Sequence, residues 1–154
     1  MDHCVMDTPA GRLTIWEIRG CITEAVWANA PLRAPETPLL KAAVKEIDEY
    51  FAGSRKDFDL PIAAPGDPLS QKVWAALLSI PYGKTVTAEK LADRLKLRRQ
   101  LRAVIKAVNA NPVALFLPCH RVVAVDGDGG YVGGMDVKYA LWKAEGIPRK
   151  ESGD

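Results

Sequence analysis

Cys119 and His120 stand side by side in the stretch Leu117-Pro118-Cys119-His120-Arg121-Val122-Val123. A thiol acts as a nucleophile through its thiolate, and an imidazole network beside it can lower the thiol pKa. The chain holds only two histidines, His3 and His120. An apolar run, Val113-Ala114-Leu115-Phe116-Leu117, leads into the cysteine. It is short for a helix and suits a buried strand, so the thiol is expected at a strand end or in a tight turn. Free cysteines are also common core residues, so the pair alone does not separate a nucleophile from a structural thiol.

Other residues nearby have the types that chemistry needs. Asn111-Pro112 lies eight residues before the cysteine. Asp126-Gly127-Asp128-Gly129-Gly130-Tyr131-Val132-Gly133-Gly134 follows it. No Gly-Lys-Ser/Thr succeeds these glycines, which excludes a P-loop. They predict either a flexible turn or a loop whose backbone approaches a flat ligand. Val137, Ala140, Leu141 and Ala144 then outline a last amphipathic helix ending at Gly146. Glu145 sits at its C-terminal end, where the helix dipole disfavours a carboxylate, so the residue calls for another reason. Elsewhere, His3, Cys4 and Cys21 could meet across neighbouring strands as a zinc site, but a fourth ligand and finger-like spacing are missing. Ordinary sheet cysteines are the alternative.

The elements that must position these groups can be read in order. Leu13–Ile18 alternates apolar and polar residues and follows Pro9-Ala10-Gly11, so it should pair with Val5–Thr8 as a hairpin. Ile22–Trp27 adds a third strand. Thr37-Pro38 caps a helix carrying Leu39, Leu40, Ala43, Val44, Ile47, Tyr50 and Phe51, which Gly53 ends. Pro61, Pro65, Gly66 and Pro68 mark a linker between a first domain, 1–62, and a second, 67–148. Asp67-Pro68 caps the next helix, with Val73, Trp74, Leu77 and Leu78 on its apolar stripe. Thr87 caps a short helix bearing Leu91 and Leu95. A turn at Lys96-Leu97 leads into a helix over 98–109.

That last helix expects Leu101, Val104, Ile105 and Val108 on its packed face. Arg99, Arg102, Ala103 and Lys106 recur at the same spacing on another face. From Lys96 to Lys106 inclusive there are five basic residues and no acidic one. Two short helices with a tight turn and a basic second helix read as a helix-turn-helix that contacts phosphates, or else as a solvated basic face. The expected core is Ile15, Trp16, Ile47, Phe51, Val73, Leu77, Leu91, Val104, Val108, Leu115, Leu117, Val122, Leu141 and Trp142.

Composition bounds the rest. The chain has 154 residues, enough for one domain or two small ones, and a net charge of +2 from 21 basic and 19 acidic side chains. That balance does not by itself argue for nucleic acid. No apolar run approaches the ~18 residues that span a membrane. Met1-Asp2-His3-Cys4 does not read as a secretory signal. Three cysteines make no disulfide framework, so a reducing, intracellular compartment is expected.

Asn111-Pro112, Pro118-Cys119-His120-Arg121-Val122-Val123, Gly130-Tyr131-Val132-Gly133-Gly134 and Glu145-Gly146 resemble, in order and spacing, the signature of the methylated-DNA–protein-cysteine methyltransferases, the O6-alkylguanine-DNA alkyltransferases. The likeness runs through the whole C-terminal half. The N-terminal half matches only in layout. The resemblance implies a small ribonuclease-H-like α/β domain followed by an all-α winged-helix or helix-turn-helix domain. It implies binding to double-stranded DNA in the minor groove, base flipping, and irreversible transfer of an alkyl group from O6-alkylguanine to Cys119. Cys119 would be the nucleophile, His120 would take its proton through a water, and Glu145 would orient His120. Asn111 would be the hinge between recognition helix and active-site strand, and Arg121 would be structural. Arg102 would enter the stack as the arginine finger, with Arg99, Lys106 and Ala103 beside it on the DNA.

Tyr131, Val132, Gly133 and Val122 would line the base pocket, with the carbonyls of Cys119 and Val122 accepting from the exocyclic amine. No cofactor and no metal would be needed, and a monomer in the cytoplasm (or the nucleus of a eukaryote) is expected. The chain departs from the family at three places. Ala88 stands where a tyrosine is usual, Ile105 and Lys106 where a glycine and small residues are usual, and Val132 where a hydroxyl residue is common. The Ala88 departure leaves open a lesion-recognition module that binds without transfer. A cysteine hydrolase is a third reading, disfavoured because adjacent Cys-His geometry is poor for direct proton transfer.

Overall fold

The computed structural model describes residues 2–149. Three strands, β1 (Asp2–Thr8), β2 (Gly11–Ile18) and β3 (Cys21–Trp27), form an antiparallel sheet in the order β1-β2-β3. Thr8 faces Gly11 across the first turn, which sets the register Cys4–Ile15 and Val5–Thr14. Leu13 and Ile15, two apart, are buried as alternation requires, and Ile22 and Ala25, three apart, are buried as well where the pairing register shifts opposite Trp16 and Glu17. Helix α1 (Pro38–Phe51) begins where expected: Thr37 Oγ1 accepts from Leu40 N at 3.1 Å and Pro38 occupies the first turn. It buries Leu40, Ala43, Ile47 and Tyr50.

The chain separates into two units. One holds residues 1–65 together with 112–116, and the other holds 66–111 with the segment from 117 onward. The first junction lies in the linker between 62 and 67, and the chain returns to the first unit at 112–116. Residues 112–116 pack with the first unit, where Val113 bridges Ala25, Ala25 N donates to Pro112 O and Ala114 N donates to Ala25 O. Phe116 meets Phe58 edge-on at 4.9 Å. The expected strand over 113–117 does not form. Isolated bridges surround a turn, and Leu115 is buried with φ 74°. A non-glycine residue in that region is held there only by surrounding packing.

In the second unit, α2 (Pro68–Leu77) is capped by Asp67, which accepts from Ser70 N at 2.7 Å. A short strand β4 (Val86–Thr87) leads into α3 (Ala88–Arg94), capped by Thr87. The expected single helix over 98–109 is a 3-10 turn, Arg98–Gln100, followed by α4 (Leu101–Asn109). Strand β5 (Val122–Val123) pairs in parallel with β4. Helix α5 (Met135–Glu145) ends in a left-handed Gly146 with φ 77°. Trp74 Nε1 donates to Ala107 O at 2.9 Å and ties α2 to α4. Among the described residues no helix is long and apolar enough to cross a membrane.

Most of the expected core is buried. Trp16 and Phe51 are only partly so. On α4 the buried face is Val104, Ala107 and Val108, and Ile105 is 38% exposed, outside the packed stripe in which the sequence placed it. On α5 the buried residues are Lys138, Leu141, Trp142 and Glu145; of the expected stripe Val137, Ala140, Leu141 and Ala144, Leu141 is buried and the other three are half-buried. The zinc alternative fails. Cys4 pairs with Ile15, Cys21 lies opposite Ile18, and His3 stacks on Trp16 at 4.2 Å. No group of three His, Cys, Asp or Glu side chains among the described residues could hold a metal ion.

Candidate active site

Cys119 opens a one-turn 3-10 helix, Cys119–Arg121, so the thiol sits in a tight turn. Pro118 precedes it, and Arg121 N donates back to Pro118 O. This turn sends three consecutive side chains into the interior of the second unit: Cys119, His120 and Arg121 are all buried. Asn111 Nδ2 donates to Cys119 Sγ at 3.1 Å and to Leu117 O at 2.8 Å. One amide thus fixes the backbone ahead of the thiol and offers a donor to the sulfur.

Glu145, from the end of α5, gathers the other two side chains. His120 Nε2 lies 2.7 Å from Glu145 Oε2. Arg121 Nε and Nη2 donate to Oε1 and Oε2 at 2.9 and 3.1 Å, a two-pronged pair. Gly83 N adds a donor to Oε1 at 2.9 Å, and Arg121 Nη1 donates to Ile80 O at 2.8 Å. Trp142 Nε1 donates to His120 O at 2.6 Å. The apparent misfit of an acid at a helix C-terminus is thus explained by this buried network.

Burial would raise the Glu145 pKa, but the bonds and charges of His120 and Arg121 outweigh it and hold the carboxyl at about 2. An ionised carboxylate only accepts, so His120 Nε2 carries the proton. Burial pushes the imidazole below its ordinary 6.5, against the pull of Glu145, which leaves it neutral. Nδ1 then bears a free lone pair. That atom is buried and has no hydrogen-bond partner among the described residues. The arrangement is a base with its back fixed and its accepting nitrogen unoccupied.

The thiol at rest is not activated. Desolvation raises Cys119 to about 11, and the donor from Asn111 and the charge of Lys138 only partly oppose it. In the free protein, iodoacetamide should therefore label Cys119 slowly near neutral pH. The labelling rate should climb about tenfold per pH unit toward pH 11, because only the thiolate reacts. Peptide-resolved mass spectrometry of a timed reaction checks this, and a rate flat above pH 7 would contradict it.

Lys138 was not among the residues singled out from the sequence. It is fully buried, and its Nζ donates to Val122 O at 2.9 Å, Asp128 O at 2.7 Å and Gly130 O at 2.8 Å. The cation pins the glycine-rich loop to the strand after the cysteine. Gly129 has φ 75°, and a Cβ there would lie 3.3 Å from Ala124 N and 3.5 Å from Lys138 Nζ, so this glycine serves the close approach. The spacing 138, 141, 142, 145 is itself a helical stripe, and a lysine and a glutamate within it were the available signal.

The remaining candidates fall as follows. Arg99, Arg102 and Lys106 are exposed and Ala103 is half-buried, with Arg102, Ala103 and Lys106 on α4 and Arg99 in the 3-10 turn before it. Tyr131 is half-buried, its ring edge-on to His120 at 6.4 Å. Val132 is exposed and Gly133 half-buried. A cavity of about 110 Å³ lies between α3, α4 and β5, lined by Ala88, Glu89, Ile105, Val108, Val122 and Gly129 among others. Of the expected pocket residues, Val122 borders it, whereas Tyr131, Val132 and Gly133 do not.

Residues 68–147 match the family described as 6-O-methylguanine DNA methyltransferase, DNA binding domain. Residues 2–64 match its ribonuclease-like domain. The constitutive methylated-DNA–protein-cysteine methyltransferase of Bacillus subtilis is 36% identical over 161 aligned positions, covering 97% of this chain and 98% of that protein. The methylated-DNA–protein-cysteine methyltransferase of Methanosarcina barkeri is 42% identical over 106 residues, 68% of this chain and 67% of its own. The crystal structure of Mycobacterium tuberculosis OGT in complex with DNA superposes with a TM-score of 0.84 at 35% identity, covering 93% of this chain and 91% of that one.

Proposed function

Because the chain belongs to the 6-O-methylguanine DNA methyltransferase family, we propose that it repairs double-stranded DNA by moving the alkyl group of O6-alkylguanine irreversibly onto Cys119. One observation carries this reading: a buried thiol lies in the same turn as an imidazole whose Nδ1 is free and whose Nε2 is held by an ionised carboxylate. In the reaction the Cys119 sulfur attacks the alkyl carbon, a C–S bond forms, and the C–O6 bond breaks with its electrons returning to the guanine. The thiol proton passes through a water to His120 Nδ1, and Glu145 stabilises the imidazolium that forms. The thioether is not hydrolysed, so each molecule acts once. The alkyl group arrives already bonded to its leaving group, so no cofactor or metal takes part.

DNA recognition follows from the basic face beside this site. Helices α3 and α4 form the helix-turn-helix, with Arg99, Ala103 and Lys106 against the backbone of the minor groove and Arg102 filling the gap left by the flipped nucleotide. Asn111 couples α4 to the cysteine turn, which its bonds to Leu117 O and Cys119 Sγ support. Tyr131, Val132 and Gly133 wall the base beyond Val122. The sheet with α1 supports a ribonuclease-H-like first domain, 1–62, and the helical second unit a winged-helix domain, 67–148. The protein works as a monomer in the cytoplasm, or the nucleus of a eukaryote.

Intact-protein and peptide mass spectrometry after incubation with a duplex containing O6-methylguanine tests the proposal. One methyl on the Cys119 peptide, absent in Cys119→Ser, is expected. No mass gain with lesion binding retained would overturn it in favour of recognition without transfer.

A further inference from the structure

The exposed residues of α4 are Arg102, Ile105, Lys106 and Asn109. Their spacing of three and four puts them on one face, opposite the buried Val104, Ala107 and Val108. Arg102 and Lys106 make that face basic, yet an isoleucine stands between them, 38% exposed. A single exposed apolar side chain is ordinary by itself. What sets this one apart is that the fold does not ask for it. Alanine is the better helix former, since a β-branched side chain loses χ1 freedom against the preceding turn. On its inner side Ile105 borders the cavity between α3, α4 and β5, so it fills no closed core position. Ala88 and Val122 border the same cavity, and Val122 directly follows the turn that carries Cys119. Ile105 therefore belongs both to the cationic face of α4 and to the edge of a cavity that reaches the strand leaving the cysteine.

Resting on the function proposed above, we propose that Ile105 is an apolar wedge: it enters the minor groove one turn of α4 beyond Arg102, packs on the sugar and base edge beside the extruded nucleotide, and hinders its return to the stack. The two kinds of side chain on this face divide the work. Arg102 and Lys106 attract phosphates, an attraction that is the same whether the nucleotide is stacked or extruded. Holding a base step open takes a contact made only in the open state, and minor-groove proteins obtain it from apolar side chains set against the bases. Position suits the task. Three residues advance a helix by about 4.5 Å, on the order of one base step (~3.4 Å), so Arg102 and Ile105 can serve neighbouring levels of the stack. Stiffness suits it too. In a helix the isoleucine side chain keeps one preferred χ1 rotamer, so it is ordered before DNA arrives and loses little entropy on contact. Across the cavity Ala88 brings almost no side chain, so the apolar bulk on this edge comes from α4.

The test compares single-turnover methyl transfer to Cys119 from one O6-methylguanine oligonucleotide, presented as a duplex or as the single strand, where no paired stack pulls the base back. The full-length wild type, Ile105→Ala and Ile105→Leu are measured at saturating DNA, and a ratio taken on one preparation cancels the folded fraction. The duplex-to-single-strand ratio should fall about tenfold in Ile105→Ala and return most of the way in Ile105→Leu, which restores the apolar bulk. The affinity of Ile105→Ala for undamaged duplex should stay within a factor of about two, because the phosphate contacts remain. A ratio unchanged in Ile105→Ala, whatever the absolute rates, would overturn the wedge and leave the transfer function standing. Should the single strand react too slowly to measure, 2-aminopurine beside the lesion decides. Its fluorescence rises on unstacking, so binding of Cys119→Ser should brighten the duplex and the added Ile105→Ala change should abolish the rise; equal brightening by both would overturn the wedge likewise. A wild type that takes a methyl from neither form of the DNA would remove the function and, with it, this role.

Discussion

Replacing Glu145 with glutamine should destabilise the protein by about 3–5 kcal/mol and slow alkyl transfer by a factor on the order of 10³–10⁴. The first figure follows from what is left behind. Arg121 is buried, and its guanidinium donates twice to the carboxylate. Removing one partner of a buried pair strands the other charge, which costs far more than the intact pair contributes. The second follows from the imidazole. A carboxylate fixes the proton on Nε2 and leaves Nδ1 free, whereas a carboxamide can turn its NH₂ toward Nε2 and favour the other tautomer; the corresponding Asp→Asn change in a serine-protease triad costs about 10⁴. Urea unfolding and single-turnover transfer measure the two effects separately. A variant within 1 kcal/mol of wild type would show that the network is incidental.

Acid stability gives the same residue a distinct signature. Glu145 is held at about 2, below its ordinary 4.5, so its contribution is present above pH 4.5 and lost as the pH falls toward 2. His120 is held below its ordinary 6.5, so below that pH the unfolded chain binds the extra proton first. In both windows the unfolded state takes up more protons, and stability rises with pH. Glu145→Gln should flatten the dependence between pH 4.5 and 2.

What the sequence discloses is mostly what local chemistry determines. Thr37-Pro38, Asp67-Pro68 and Thr87 mark their helix starts because a cap needs only its next three residues. The hairpin is legible from Pro9-Ala10-Gly11 and the alternation beyond it. Long-range partners are not local. The run 113–117 is as apolar as a strand but is broken by a turn at Leu115, and its first part belongs to the first unit. On α5 the apolar pattern shares only Leu141 with the buried face, because two of the four buried residues are charged, Glu145 paired with Arg121 and Lys138 bonded to backbone carbonyls outside the helix. Cys119 and His120 stand out through their motif, yet the free Nδ1 and the raised thiol pKa follow from the packing around them.

Lys138→Met should cost about 3 kcal/mol or more and slow transfer, through one cause. The ammonium has three donors, and the structure gives them three carbonyls, of Val122, Asp128 and Gly130. Methionine conserves the length of the side chain and removes all three bonds. The carbonyls must then find water in an interior that admits little, or the loop must open. The loop is the weaker element, since its glycines supply few apolar contacts, so Asp126–Gly130 should lose amide-exchange protection first. The lost positive charge also acts at the thiol. Lys138 lowers the Cys119 pKa against desolvation, so its removal should move the iodoacetamide profile further toward alkaline pH. A purely structural lysine would lower stability and leave that profile in place. Lys138→Arg separates the two roles: it keeps the charge, and so the thiol's titration, while its planar head cannot meet three converging carbonyls as an ammonium does. A profile unmoved in Lys138→Met would refute the electrostatic role, and a shift in Lys138→Arg as large as in Lys138→Met would assign the effect to packing.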